Sequence, residues 1–225
     1  LSDFLKKRGY REEEILKTGL IVEKSQIPNP NNQSNPKSQI QNTRYYDRFR
    51  NRIIFPIFDL NGQTIGFGAR ENPYQPDSRM GKYINSPGTF IYDKSRVLYG
   101  LDKAKAEIRI ENCCLIVEGY MDVLMSWQAN AKNVVASSGT ALTQEHLKLI
   151  RRYTENLALS FDMDIAGDAA TKRAIDLAIE QGFNVKIIQI PQAKDPADLI
   201  KETPSQWPKE IANSQPVIDF YFSSA

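Results

Sequence analysis

The sequence is poor in the residues that stabilise small secreted domains or hold a zinc ion. Its 225 residues include only two cysteines and one histidine. Cys113 and Cys114 are adjacent within an apolar run, which argues against a disulfide framework and leaves a zinc site without its spaced partners. We therefore expect both thiols to lie in the core of a cytoplasmic protein.

Long apolar runs are also absent. No stretch approaches the roughly 20 residues that a membrane-spanning helix requires, so no contact with a membrane is expected. The N-terminus lacks the succession of basic, apolar and small residues found in secretory leaders. Because the first residue is Leu1 and not Met, the sequence is expected to be a piece of a longer chain.

The small net charge of +2 conceals an uneven distribution. Residues 1–110 carry 19 Lys and Arg against 12 Asp and Glu, a net charge of +7, whereas residues 111–225 carry 10 against 15, a net charge of −5. The first half could attract a polyanion and the second half cations. A chance split between two solvated faces explains the asymmetry equally well, so charge alone does not decide the function.

The first half is predicted to be a mixed α+β lobe. It opens with two short helices separated by a turn at Gly9, and residues 28–43 form a polar insert too poor in apolar residues to fold, which we interpret as flexible. The β-rich runs 53–59 and 64–69 flank Asn61-Gly62, a pair that favours a type I′ hairpin turn. Pro56 lies in the first run and predicts an edge strand or a bulge there.

The second half alternates apolar runs with amphipathic segments, which predicts the order β-α-β-α-β-α-β. The four predicted strands are residues 113–117, 133–136, 157–161 and 185–190. Strands that are apolar on both faces and joined by helices indicate a parallel sheet covered on both sides, with its ligand crevice at the carboxyl ends of the strands. We therefore predict a basic N-terminal lobe (1–110), an α/β domain (111–200) and the start of a C-terminal helical subdomain (201–225).

Acidic residues follow three of these predicted strands. They are Glu118 with Asp122, Asp162 with Asp164, and Asp195 with Asp198. Carboxylates gathered at one edge of a sheet repel one another unless a cation offsets them, and oxygen ligands without nearby His or Cys favour Mg²⁺ or Mn²⁺. The alternative is that these residues only stabilise helix N-termini, where acidic side chains are favourable in any protein.

Two further features carry weaker expectations. The only histidine, His146, sits in the first turn of a predicted helix after Thr143 and is expected at the surface or in a helix cap. Residues 137–140 (Ser-Ser-Gly-Thr) follow a predicted strand and either border the crevice or contact phosphate, or only form a tight strand-to-helix loop.

Several segments together resemble a known family. The stretch Leu-Ile-Val-Glu-Gly-Tyr-Met-Asp at 115–122, with Asp-Met-Asp at 162–164 and Ala-Gly-Asp at 166–168, resembles the Toprim domain in the form carried by bacterial DnaG-type primases. Five upstream blocks resemble the N-terminal lobe of the same primases: 48–52, 53–56, 66–70, 82–87 and 98–101. The resemblance covers the chain except for the polar insert.

The resemblance implies which residues act. Its metal ligands would be Glu118, Asp122, Asp162, Asp164 and Asp195, with Glu118, Asp162 and Asp164 catalytic. Its nucleic-acid and nucleotide contacts would be Arg48, Arg50, Arg52, Arg70, Lys82, Tyr83, Asn85, Lys94 and Arg96, of which Arg70, Lys82 and Lys94 are the strongest candidates. Guanidinium and ammonium groups suit phosphates, although a solvated surface role is an equally ordinary use of such residues.

Two positions depart from the family pattern. Met163 stands where the family usually has the glycine of Asp-Gly-Asp, so the metal loop is expected to be slightly rebuilt. Ala197 separates Asp195-Pro196 from Asp198, which displaces the second carboxylate of the usual Asp-Pro-Asp by one residue. Asp198 is for this reason left out of the predicted ligand set.

The activity implied by the resemblance is synthesis of RNA primers on a single-stranded DNA template. Ribonucleoside triphosphates would be joined by Mg²⁺-dependent nucleotidyl transfer, with Mn²⁺ as a substitute, to give an RNA–DNA hybrid and pyrophosphate. The core is expected to be monomeric, with a replicative helicase as partner and zinc only in an N-terminal module of the full-length protein. The alternatives are a Toprim topoisomerase or nuclease, and a non-catalytic nucleic-acid-binding module.

Overall fold

A computed structural model describes residues 1–23, 45–75, 81–160, 169–190 and 195–223. The predicted flexible insert, 28–43, lies outside the described residues. Contacts within the chain separate two compact units, one of residues 1–55 and 66–92 and the other of residues 56–65 and 93–225. The predicted division into domains near residues 110 and 200 rests on sequence pattern and stays a prediction.

The first unit begins with the two predicted helices, α1 (Ser2–Lys7) and α2 (Glu12–Lys17). Gly9 and Gly19 follow these helices with φ of 91° and 70°, the left-handed conformation that ends helices and favours glycine. A two-stranded antiparallel sheet of β1 (Ile21–Glu23) and β2 (Tyr45–Asp47) comes next.

A three-stranded sheet with the order β3-β4-β5 follows. Its strands are β3 (Arg52–Phe58), β4 (Thr64–Glu71) and β5 (Tyr83–Asn85). The predicted hairpin is thus confirmed, and β3 lies at the edge of the sheet, where the missing amide hydrogen of Pro56 costs no ladder bond.

The predicted type I′ turn is wrong. Both of its central residues would need positive φ, but of Asn61 and Gly62 only Gly62 has it, at 81°. The amide of Gly62 donates to the carbonyl of Asp59 (3.0 Å), and the Asp59 carboxylate accepts from the amides of Asn61 and Gln63, both at 2.9 Å. The Asp59 side chain therefore stabilises a longer loop in which a single left-handed residue suffices.

The second unit is a parallel sheet covered by helices, as predicted. Its parallel strands are β6 (Cys114–Val117), β7 (Val134–Ala136), β8 (Asn156–Leu159) and β9 (Asn184–Ile187). The helices between them are α4 (Tyr120–Gln128), α5 (Gln144–Ile150) and α6 (Ala169–Glu180). A short 3₁₀ helix (Lys94–Arg96) and α3 (Leu101–Glu111) precede the sheet.

The C-terminal part adds one strand and three helices to this unit. They are α7 (Pro196–Glu202), α8 (Trp207–Ala212), β10 (Gln215–Pro216) and α9 (Val217–Ser223). The complete strand order is β10-β9-β8-β6-β7, with β10 antiparallel to β9. Of the helices in the described residues, none is long and apolar enough to cross a membrane.

Two apolar clusters pack on opposite faces of the parallel sheet. One contains Ile116 with side chains of α3, α5 and α6, and the other contains Leu115 and Val117 with side chains of α4, α7 and α8. Cys114 is fully buried, and burial raises the pKa of its thiol well above the usual value. The prediction of core thiols is confirmed for Cys114, whereas Cys113 is half-buried.

Candidate functional site

The order of the strands creates a crevice at the carboxyl edge of the sheet. Strand β6 lies between β7 and β8, so the chain leaves β6 towards one side and leaves β8 towards the other. Neighbouring strands whose connections diverge in this way form the usual ligand site of open α/β sheets. Glu118 follows β6 directly and is exposed there, and Ser160 follows β8.

Asp122 lies in the first turn of α4 and has only 6% of its surface exposed. Its Oδ2 accepts a hydrogen bond from the Gly119 amide (2.9 Å), and its Oδ1 accepts one from the Ala197 amide (3.2 Å). The carboxylate therefore joins the N-termini of α4 and α7. The hydrogen bond from Gly119 is the helix N-terminal role that the sequence offered as the alternative for the acidic residues, whereas the link to α7 was not predicted.

Asp195 begins α7 as its N-cap residue. Its Oδ1 accepts from the Asp198 amide (2.7 Å), and Pro196 occupies the first helical turn, where its fixed φ is favourable. Since the Ala197 amide in the same turn contacts Asp122, the structure brings two of the predicted acidic groups to one place. Asp198 is exposed.

Asp162 and Asp164 follow Ser160 in the sequence but lie outside the described residues, as does Met163. Within the ranges that the structure describes, no three His, Cys, Asp or Glu side chains are grouped closely enough to hold a metal ion. The described donors fit a hard cation in kind, because all are carboxylates and each oxygen that accepts one backbone hydrogen bond keeps a second lone pair. On their own, the described carboxylates form only part of a metal-binding site.

The loop after β7 borders the same crevice. Ser138 and Gly139 have positive φ (53° and 83°), and the Ser138 amide donates to the carbonyl of Glu118 (3.0 Å). Residues 137–140 therefore form a tight loop that lies beside Glu118, and their contact with phosphate stays a prediction. The sequence signal was the run of small polar residues after an apolar strand.

In the first unit, basic and aromatic side chains gather around the start of β5. Arg52 donates through Nη1 to the carbonyls of Gly81 (3.0 Å) and Lys82 (3.3 Å). Arg70 pairs in register with Tyr83, and its guanidinium lies 5.7 Å from the centre of the Tyr83 ring. Lys82 is exposed. The structure thus brings four of the predicted contact residues together.

Other predicted contact residues of this unit already have packing partners. Arg48 is half-buried and donates through Nε to the carbonyl of Gly19 (2.8 Å). The Arg50 guanidinium lies 4.8 Å from the centre of the Tyr46 ring. Asn85 pairs with Gly68 across the sheet. Their roles at nucleic acid stay predictions.

In the second unit, Lys94 and Arg96 lie on the 3₁₀ helix, which α5 anchors. His146 is fully buried and contacts the Lys94 carbonyl through Nε2 (2.8 Å), while its Nδ1 accepts from the Thr143 amide (3.4 Å). Burial lowers the pKa of His146. The predicted capping role is confirmed, and the surface location is wrong.

Comparison with known proteins agrees with this geometry. A family model described as "DNA primase catalytic core, N-terminal domain" matches residues 1–105, and one described as "Toprim-like" matches residues 115–200. A DNA primase of Clostridium acetobutylicum is 41% identical over 226 residues, which cover 100% of this chain and 34% of the relative. A DNA primase of Staphylococcus aureus is 40% identical over 198 residues, covering 88% and 30%. The chain spans about a third of the length of these curated relatives.

Solved structures give the same result. The RNA polymerase domain of Mycobacterium tuberculosis primase DnaG is 31% identical with a TM-score of 0.81, covering 99% of this chain and 69% of that one. A DnaG primase catalytic domain bound to ssDNA is 33% identical with a TM-score of 0.79, covering 99% and 66%. The Aquifex aeolicus primase, with zinc-binding and RNA polymerase domains, is 33% identical with a TM-score of 0.76, covering 94% and 48%. The chain therefore belongs to the bacterial DnaG-type primase family.

Proposed function

We propose that this chain is the catalytic core that synthesises short RNA primers on single-stranded DNA by metal-dependent nucleotidyl transfer. The observation that carries the proposal is the crevice at the switch point of the parallel sheet, where Glu118 stands exposed beside the helix ends joined by Asp122. The fold of relatives named DNA primase supports it. On this proposal ribonucleoside triphosphates are joined and pyrophosphate is released.

Glu118, Asp122, Asp162, Asp164 and Asp195 would hold Mg²⁺, with Mn²⁺ able to replace it. When bound, the metal supplies positive charge to the triphosphate and lowers the pKa of the attacking hydroxyl. The protein itself positions the carboxylates that would bind the metal. Asp122 fixes the first turns of α4 and α7 relative to each other, so the position of Asp195, the N-cap of α7, is fixed relative to Asp122. Glu118, Asp162 and Asp164 are the proposed catalytic carboxylates.

Template and nucleotide phosphates would bind the basic residues. Arg52, Arg70 and Lys82 form the described cluster that suits a phosphate chain best, because guanidinium groups make charge-assisted, bidentate contacts with phosphate oxygens. Tyr83, whose ring Arg70 covers, offers an aromatic face beside them. Lys94 and Arg96, together with Arg48, Arg50 and Asn85, complete the proposed contact set. A solved DnaG catalytic domain with bound ssDNA supports binding of single-stranded DNA by such a core.

The remaining proposals concern the whole protein. We place it in the cytoplasm, with a replicative helicase as partner and zinc confined to an N-terminal module, as the zinc-binding domain of the Aquifex aeolicus relative suggests. The core itself would be monomeric. Its proposed domains are residues 1–110, 111–200 and 201–225.

RNA synthesis tests the proposal directly. The chain is incubated with ribonucleotides, a single-stranded DNA template with and without an annealed RNA primer, and Mg²⁺ or Mn²⁺. The variants are Asp162→Ala and, as a matched control, Asp176→Ala, which changes an exposed aspartate of α6. We expect metal-dependent extension that is lost only in Asp162→Ala.

Three outcomes would contradict the proposal. Wild-type extension by Asp162→Ala would refute the catalytic role of that residue. A folded protein that binds DNA but does not extend even the primed template would instead support a non-catalytic binding module. Relaxation or cleavage of DNA without RNA product would support the topoisomerase or nuclease alternative.

A further inference from the structure

A second concave site lies in the second unit, outside the predicted catalytic and nucleic-acid contact residues. It has a volume of about 250 Å³ and is lined mainly by apolar side chains from the end of the β3–β4 hairpin, the start of α3 and one side of α4. The residues that matter here are Phe58, Tyr99, Asp102, Lys103, Leu124 and Trp127. Three of them are aromatic, so the site combines apolar area with electron-rich ring faces.

The pocket contains one buried negative charge. The Asp102 side chain is 5% exposed, and its Oδ2 is buried without a hydrogen-bond partner. The Lys103 ammonium lies 3.5 Å from this oxygen, within ion-pair distance but without hydrogen-bond geometry. Because a buried carboxylate oxygen that lacks a hydrogen bond is costly, the site favours an added donor with positive charge.

The position of Lys103 indicates where such a cation is stable. Its side chain is 66% exposed, yet its ammonium also lies 5.7 Å from the centre of the Phe58 ring. It is thus placed near both a carboxylate and an aromatic face, the two groups that recognise organic cations. Burial, and to a smaller extent the Asp102 charge, raises the pKa of the Tyr99 phenol above its usual value.

We propose that this pocket binds a small organic cation, an ammonium or guanidinium group carried on an aromatic or branched aliphatic body. The body would replace water against Trp127 and Leu124, and the cation would reach Asp102 and the ring of Phe58, taking over the place of the Lys103 ammonium. A neutral analogue of the same shape gains only the apolar contact, and an anion is repelled by the carboxylate. None of the residues that line this pocket is a proposed metal ligand or nucleic-acid contact, so the proposal does not rest on the proposed polymerase function.

Binding is tested with 2-phenylethylammonium, with 2-phenylethanol as neutral analogue and phenylacetate as anion. The fluorescence of Trp127 reports occupancy, since the other tryptophan, Trp207, is fully buried. Calorimetry gives an independent affinity. We expect the ammonium to bind about tenfold or more tightly than the other two, the ratio given by one hydrogen bond to a charged group. The fluorescence change should disappear in Trp127→Leu.

Charge variants separate this proposal from simple apolar binding. Asp102→Asn should remove the preference for the ammonium, and Lys103→Gln should strengthen its binding because the competing cation is gone. Leu124→Lys adds a positive charge at the rim and should weaken it. Ile179→Lys is the matched control, because Ile179 is 46% exposed against 44% for Leu124 and does not line the pocket. Leu124→Lys tests the idea even if Asp102→Asn fails to fold.

Three results would overturn the proposal. They are equal affinity for the ammonium and the alcohol, a preference that survives in a folded Asp102→Asn variant, and the absence of saturable binding at millimolar concentration. An equal loss in Leu124→Lys and Ile179→Lys would likewise show that the response does not come from this pocket.

Discussion

Asp122→Asn should destabilise the protein even when no metal is present. The wild-type carboxylate accepts two backbone hydrogen bonds, from Gly119 and from Ala197, and is almost fully buried. An amide has only one acceptor oxygen, so its nitrogen must face one of these N–H donors and leave it unpaired. A lost bond to a buried charged acceptor costs about 1.5–3 kcal/mol. For a chain of this size that corresponds to a decrease in Tm of about 3 to 12 °C.

The assay is thermal unfolding in EDTA, followed by tryptophan fluorescence. Trp127 and Trp207 both lie in the second unit, so the signal reports the part of the chain that contains Asp122. Asp195→Asn is the matched control at a second carboxylate of the same site. Asp195 accepts one bond as an N-cap, and Asn caps helices as well as Asp does, so its Tm should change by only about 1–2 °C.

The result that would refute this reasoning is a Tm for Asp122→Asn within about 1 °C of the wild type. Asp122 would then not bridge α4 and α7 in solution. If both variants lost RNA synthesis while only Asp122→Asn lost stability, the carboxylates would differ in structural role while sharing a functional one.

Three further perturbations have defined outcomes. Burial lowers the pKa of His146, so the unfolded state binds the proton more readily than the folded state. The free energy of unfolding should therefore fall as the pH decreases below about 6.5. Urea unfolding of His146→Gln should show a smaller loss over the same pH range. Gly19→Ala should lower the Tm more than Gly62→Ala, because both glycines have positive φ but a Cβ at Gly19 would clash with the Pro87 ring, whereas no atom lies within 4 Å of a Cβ at Gly62. A Tm change for Gly19→Ala no larger than that for Gly62→Ala would contradict this packing. Arg70→Ala should reduce the slope of log binding constant against log salt concentration for single-stranded DNA by about the value of one phosphate contact. Fluorescence anisotropy titrations at several salt concentrations measure this slope. Arg109→Ala, on α3, should leave it unchanged.

The parallel sheet was predictable because its strands are buried on both faces and therefore appear in the sequence as uninterrupted apolar runs. Their order was not predictable from these runs, since it depends on which helix packs on which face. The last strand, Gln215–Pro216, is short and exposed, so no hydrophobic pattern marks it. It is recognised only by its antiparallel backbone pairing with β9, which no local sequence pattern indicates.

Local signals failed where a side chain competed for backbone groups. The Asn61-Gly62 pair favours a two-residue turn in isolation. Asp59, however, accepts two amides of the loop through its side chain, and this longer loop requires positive φ only at Gly62. His146 is a similar case, because the buried ring contacts the carbonyl of Lys94, 52 residues away in the sequence, and no local pattern could reveal that contact.

For the candidate site, the sequence predicted the residues more readily than their roles. A metal-ligand role and a helix N-terminal role were treated as alternatives for the acidic residues, yet Asp122 and Asp195, both proposed metal ligands, each accept a backbone hydrogen bond at the start of a helix. The two roles are compatible because a carboxylate has more lone pairs than one backbone bond uses. The hydrogen bonds to Gly119 and Ala197 keep Asp122 in place before any cation arrives, so on our proposal the ligand geometry would not have to be ordered by metal binding. Preorganisation of this kind lowers the free-energy cost of binding and is a physical reason for a site to be built at helix ends.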